Sequence, residues 1–281
     1  MTDTLAPPAP AAHPRGQDRP ASPPTGQFAR LAALGARRCA APTAFLLLWE
    51  LAPRLGLVDR VFLPPLSEVL GTLLVLVRNG QMGEHVAASL GRGLTGFLIA
   101  VATAIPLGIL VAWYRPVCDL LAPLLEVFRN TAALALLPVF VLLFGIGETS
   151  KIALVVYACT FPILLNTITG VRTVDPLLVK AAVSLGFSPV SVFTKVVLPA
   201  AVPSVFTGIR MAGTSSILVL VAAEMVGARS GLGYLVQASQ LNFQITHMYA
   251  GIIAIAAVGL LLNQLLVSLE RRFSRWRLDH V

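Results

Sequence analysis

The sequence predicts an all-α membrane protein of about six transmembrane helices that carries one structured cytoplasmic loop, and three observations lead there. Hydrophobic residues make up 56% of the 281-residue chain and charged residues 12%, with a mean hydropathy of +0.81; polar groups are too few to cover a soluble domain of this size. The apolar residues are gathered into uncharged runs of the length that crosses a bilayer, roughly 20 residues each. The basic residues, 21 Lys and Arg against 13 Asp and Glu, stand at the ends of those runs. That placement sets orientation in a membrane, whereas a basic patch on a soluble protein would point to nucleic acid.

Taken in order, residues 1–28 are rich in Pro, Ala and Gly, with Arg15 and Arg19 but no apolar core, and read as a disordered cytoplasmic tail instead of a signal peptide. Residues 29–281 form one transmembrane domain. Arg30, Arg37 and Arg38 precede the run 40–57, an anchor helix interrupted by Glu50 and Arg54 and the weakest of the spans. Pro64 and Pro65 then stop one element, Ser67 is placed to cap the next, and an interfacial amphipathic helix follows within 61–92. The second span is 93–114, closed by Arg115. Glu126 and Arg129 share a helix face and open a third span that continues through 130–147. A turn at Gly145 and Gly147 and a wet loop marked by Glu148 and Lys151 lead to the fourth span, 152–171. The fifth is 202–226, with Arg210 near its start and Glu224 near its end, and after a short outer segment at 229–247 the sixth is 248–269. The basic residues fall mostly on one side if both termini are cytoplasmic.

Cys39, Cys118 and Cys159 show no C-x-x-C spacing, and the four histidines stand singly, so no metal site or bound cofactor is expected of this chain. No G-x-x-x-x-G-K-[ST] segment is present, so the chain is not an ATPase, and no catalytic residue is expected.

The segment 173–199 is too polar to span, and its length implies a role. Lys180, Ala181 and Ala182 belong to a short helix whose small residues leave a flat approach for another protein. Gly186 allows a positive φ at the turn, Pro189 starts a second short helix, and Leu198 and Pro199 close the loop before the fifth span. The spacing Lys180-Ala181-Ala182, three residues, Gly186, nine residues, Val196-x-Leu198-Pro199 resembles the E-A-A…G…I-x-L-P loop of permeases of binding-protein-dependent ABC importers. Lys180 stands where the family has Glu, and Val196 where it has Ile. Within that family the chain is similar to the nitrate, taurine and aliphatic sulfonate branch, through Pro64-Pro65-Leu66-Ser67-Glu68-Val69, Phe144-Gly145-Ile146-Gly147, Phe161-Pro162-Ile163-Leu164-Leu165-Asn166-Thr167, Gly208-Ile209-Arg210 and Gly231-Leu232-Gly233-Tyr234. It departs at Asn130-Thr131-Ala132, where relatives carry a proline-rich kink.

The resemblance implies a type I ABC importer permease fold and a coupling loop made by Lys180, Ala181, Ala182, Gly186, Leu198 and Pro199. It also implies an inner-membrane location, a dimer of ATP-binding subunits that use ATP and Mg, an extracytoplasmic solute-binding protein, and pairing of this chain with itself. The transported solute would be small and anionic. Asn166, Arg210 and Glu224, polar groups at or near membrane depth, are candidates to line the pathway, although packing between helices or snorkelling accounts for them equally. The rival class is an ion-gradient-driven transporter or channel, which would need no ATPase; the internal repeat common in such proteins is not evident.

Overall fold

The computed structural model describes residues 25–273 and is helical throughout its regular structure. It divides into two compact units, the first ending at Leu51 and the second covering Ala52–Val281. The first contains most of α1 (Thr25–Arg54), in which Phe45 and Trp49 meet edge to face at 6.3 Å. The expected tail lies, up to residue 24, outside the described residues, as do Arg275 and Arg277.

The second unit holds everything else. Helix α2 (Leu66–Arg78) begins after Pro65, not at a Ser67 cap; Ser67 instead accepts a hydrogen bond from Arg54 at 3.1 Å. Helix α3 runs from Gln81 to Trp113 without a break, so the amphipathic helix expected to reach Arg92 ends at Arg78 and the second span starts well before Gly93. Helices α4 (Arg115–Asn130) and α5 (Leu137–Phe144), joined by a 3-10 turn at Ala133–Leu136, stand where one continuous third span is expected from Glu126 through 147. Helix α6 is Glu148–Arg172, α7 Pro176–Ser184, α8 Pro189–Val192, α9 Leu198–Glu224, α10 Leu232–Leu241 and α11 Ile245–Phe273. Four stretches are long and apolar enough to cross a membrane: Gln81–Trp113, Glu148–Arg172, Pro189–Glu224 and Ile245–Arg272. The pair 116–130 and 133–144, bent by 85°, makes a broken fifth. Among the described residues α1 does not qualify, which leaves the expected six at four or five.

The core is a sandwich of α3, α6 and α9, and side-chain size explains why those three helices approach so closely. Gly96, Ala100, Ala104 and Gly108 recur every four residues and put a shallow stripe on α3. Against it stands a ridge on α6 with the same period: Val155, Cys159, Ile163 and Thr167, all fully buried. A Cβ at Gly96 would lie 2.8 Å from Val155 Cγ1, and one at Gly108 2.8 Å from Thr167 Cβ. Helix α9 repeats the device on the other side of α6, where a Cβ at Gly208 would lie 2.8 Å from Asn166 Cβ and the Pro162 carbonyl. In a bilayer, where apolar side chains gain little by leaving lipid, such backbone-close packing holds helices together.

The bend after α4 has no proline at 130–132, although Pro138 stands at the second position of α5. Asn130 donates from Nδ2 to the Glu126 carbonyl at 2.9 Å, and Thr131 from Oγ1 to the Val127 carbonyl at 2.9 Å. These side chains compete with the backbone for the last carbonyls of α4. Thr131 and Ala132 then leave the helix in extended conformation, with ψ of 119° and 117°. The kink expected to be missing here is therefore present, made by polar back-bonding.

Candidate functional site

The loop between α6 and α9 is built as a stiff knob. Asp175 caps α7 by accepting from the Leu177 N–H at 2.8 Å, with Pro176 at the first helical position. At its other end the Phe187 N–H reaches the Ala182 carbonyl at 3.2 Å and the Gly186 N–H the Val183 carbonyl at 3.0 Å, with Gly186 at φ +80°; this pair of bonds is a Schellman cap. Ser188 caps α8, accepting from Ser191 N, and Lys195 Nζ sits 5.7 Å above the Phe187 ring. The Phe193 ring meets Trp113 edge to face at 4.5 Å and seats the knob on the end of α3.

Two expectations for this loop need correction. Ala182 is buried inside it, so Lys180 and Ala181 alone of that triplet face outward. Pro199 does not separate the loop from the fifth span, because a π-helical turn at Phe193–Val197 runs directly into α9. The proline, at the second position of α9, has no N–H to offer the preceding turn, and a wider turn there suits that loss. What the knob shows to solvent is apolar: Leu177, Val183, Leu185 and Val190 are each more than half exposed.

At the opposite end of the bundle lies a buried ionic cluster that the sequence reading placed at helix ends. Arg92, in the interior of α3 and 7% exposed, donates from Nη1 to Glu224 Oε1 at 2.7 Å and to the Ser230 carbonyl at 2.6 Å. Its Nη2 reaches Glu148 Oε1 at 2.9 Å, and its Nε donates to the same carboxylate. Glu224 is fully buried and also accepts from Ser89 Oγ, at 2.9 and 2.8 Å to its two oxygens, and from the Gly233 N–H at 2.9 Å. Gly231 and Gly233 leave room for this, since a Cβ on either would run into Glu224. The cluster ties α3, α6, α9 and the start of α10 together. Lys151, expected in a wet loop, is buried on α6 and donates to the Gly147 carbonyl at 2.9 Å.

Between the two ends, α4, α6 and α9 border a groove of about 500 Å³. Asn166 lines it together with Arg129, Tyr157, Phe161 and Ser215; its Nδ2 donates to the Pro162 carbonyl at 2.8 Å and approaches Met211 Sδ at 3.8 Å. The structure does not bring the three candidate pathway residues together. Glu224 belongs to the cluster, and Arg210 pairs with Glu270 of α11 at 3.1 Å, which leaves Asn166 alone in the groove. Local pattern alone puts Arg92 at the boundary between the 61–92 segment and the second span, as a helix-end residue. The available signal was an arginine in an otherwise uncharged stretch with two acids, Glu148 and Glu224, placed to meet it. Among the described residues no group of His, Cys, Asp and Glu could hold a metal ion.

Comparison with known proteins agrees with this architecture. Residues 104–275 match the family model of the binding-protein-dependent transport system inner membrane component. A chain of Brucella abortus (strain 2308) described as a "probable ABC transporter permease protein" is 36% identical over 77% of this chain and 87% of its own length. The taurine transport system permease protein of Escherichia coli (strain K12) is 37% identical over 82% and 86%. Among solved structures, an inward facing methionine ABC transporter superposes with a TM-score of 0.55 at 21% identity, covering 71% of this chain and 96% of that one; this likeness shows the fold. The bundle, its broken helix and its protruding loop define a permease of the type I ABC importer class. The chain belongs to the binding-protein-dependent transport family, as an inner-membrane permease subunit of an ABC importer.

Proposed function

We propose that two copies of this chain enclose a pathway for a small anionic solute such as taurine, an aliphatic sulfonate or nitrate. In this reading residues 173–199 dock into a groove of a separate ATP-binding subunit. A dimer of those subunits binds ATP and Mg and hydrolyses the ATP, an extracytoplasmic binding protein delivers the solute, and both termini of this chain are cytoplasmic. The observation that carries the reading is the knob: capped at each turn and seated on α3, it presents an apolar face made chiefly by Leu177, Val183 and Leu185, ahead of the apolar stretch that begins at Pro189. An exposed apolar patch on a rigid, protruding element suits contact with another protein. Rigidity is what coupling requires, because driving a two-state equilibrium from 1:99 to 99:1 takes about 5.5 kcal/mol of differential interaction, which a floppy loop would lose in its own bending. Lys180 beside that face makes an acid on the partner the expected counterpart, the reverse of the usual charge.

The test is retention of the ATP-binding subunit by tagged chain from co-expressing membranes. A deletion of 181–199 and the surface variant Leu185→Glu with Val190→Glu are both expected to lose it, and the second leaves the helices of the loop intact. Equal retention by all three would overturn the docking assignment.

A further inference from the structure

The groove bordered by α4, α6 and α9 has a chemistry of its own, and we infer that it is a recognition subsite for an organic anion with an apolar arm, an alkyl- or arylsulfonate in class. In that subsite Arg129 holds the anionic head, and Phe128, Tyr157 and Phe161 hold the arm. The inference rests on the reading that this chain lines a solute pathway.

Depth is the first argument. Tyr157 donates from its hydroxyl to the Phe128 carbonyl at 3.2 Å, and Phe128 stacks on Phe161 with centroids 5.7 Å apart. The end of α4 is thereby level with the middle of α6, a 25-residue helix and so about 37 Å long. Arg129 and Glu126 are 61% and 62% exposed at that level and 3.8 Å apart. Charged groups at mid-membrane depth do not face lipid; they line water or a pathway.

The shape of the walls supplies the rest. Phe128 and Phe161 are nearly parallel, at 18°, and Tyr157 meets Phe161 edge on at 5.1 Å, which makes a continuous aromatic surface. Asn166, Met211 and Ser215 also line the groove, with hydrogen-bonding capacity and a polarisable sulfur. A space of about 500 Å³ backed by three aromatic rings is far larger than a bare oxyanion needs, and it suits a head with an arm. The cavity between α3, α9 and α11 offers no such chemistry, because Ser89 and Ser216 are its sole polar side chains and it contains no cation. Glu126 beside Arg129 tempers the positive field, as a transport site must release what it binds.

The experiment places the full-length chain in nanodiscs and measures equilibrium binding of radiolabelled butanesulfonate, with methanesulfonate, benzenesulfonate, taurine and nitrate as competitors. Butanesulfonate and benzenesulfonate should bind about tenfold or more tightly than methanesulfonate and nitrate. Arg129→Gln should weaken every sulfonate about tenfold, the loss expected for a charge-assisted contact. Phe161→Ala should weaken the two with large arms by a similar factor and leave methanesulfonate unchanged. Arg78→Gln, on α2, should change nothing. Absence of saturable binding to the wild type, nitrate competing as well as butanesulfonate, or unchanged binding in Arg129→Gln would each overturn the inference. The pull-down described above is read separately: partner retention without sulfonate binding removes the subsite alone, and binding without retention removes the coupling alone.

Discussion

Arg92 and Glu224 meet at 2.7 Å although 132 residues separate them in the chain, and neither has appreciable solvent access. Desolvating two charges is costly, and this pair is tolerated because its remaining hydrogen-bonding capacity is used: Ser89 and the Gly233 N–H complete Glu224, and Ser230 and Glu148 complete Arg92. Removing one partner of such a pair strands the other. Arg92→Met or Glu224→Leu alone should each destabilise the fold by about 3–5 kcal/mol, whereas the double substitution should cost much less than their sum. The thermal midpoint of detergent-purified protein, followed by tryptophan fluorescence, reads this; additive shifts would show that the pair is not coupled. Glu148, 60% exposed, contributes less, and Glu148→Gln should shift the midpoint little.

What the sequence disclosed and what it withheld divide along physical lines. Helices α6 and α11 were legible because each is a long uncharged run with basic residues at its end, α9 because its apolar run outweighs Arg210 and Glu224 within it, and the loop because Gly186, Pro189 and Pro199 punctuate it. Arg92 was misplaced because a charge inside an apolar stretch is indistinguishable from a helix end until its partners are known, and those lie on two other helices. Helix α10 was hidden in an outer segment for the same reason. Its Leu232 and Leu235 are buried in one cluster with residues of α2, α3 and α11, contacts that no local pattern announces. The stripe Gly96, Ala100, Ala104, Gly108 was present in the sequence as a four-residue repeat of small side chains, but its meaning required the ridge on α6.

That stripe makes a second prediction. Gly108→Val would push side-chain atoms into Thr167 and the Leu164 carbonyl, and overpacking of this kind costs about 1–3 kcal/mol. Gly83→Ala, where a Cβ has open space, is the matched control and should be neutral or slightly stabilising. Thermal midpoints of the two variants side by side test whether helix approach, and not glycine content as such, sets stability.

At Gly186 the constraint is conformational and not spatial. A Cβ there would meet no atom within 4 Å, yet φ is +80°, a region that costs ordinary L-residues about 1–2 kcal/mol. Gly186→Asn should therefore be tolerated and Gly186→Val should not. Measured in vesicles with the ATP-binding subunit, Gly186→Val is expected to hydrolyse ATP with little solute uptake while still inserting in the membrane. Normal uptake in that variant would show that the turn is not needed for coupling.

The bend after α4 yields the sharpest contrast, because two adjacent residues should respond oppositely to the same substitution. Ala132 already has φ −63°, and Thr131 before it is extended at ψ 119°, the geometry that proline imposes on itself and on its predecessor. Ala132→Pro should therefore be neutral or stabilising by about 0.4–1 kcal/mol, through loss of freedom in the unfolded chain. Thr131→Pro would remove the N–H that bonds the Phe128 carbonyl at 3.2 Å and the hydroxyl that bonds the Val127 carbonyl. It would also crowd Asn130, the last helical residue of α4, and a loss of about 2–3 kcal/mol is expected. Thermal midpoints of the two variants decide the matter. If both prolines destabilise alike, the bend does not have the backbone geometry described here; if Ala132→Pro alone is tolerated, a proline-rich kink and a pair of back-bonding polar side chains are interchangeable ways of breaking the same span.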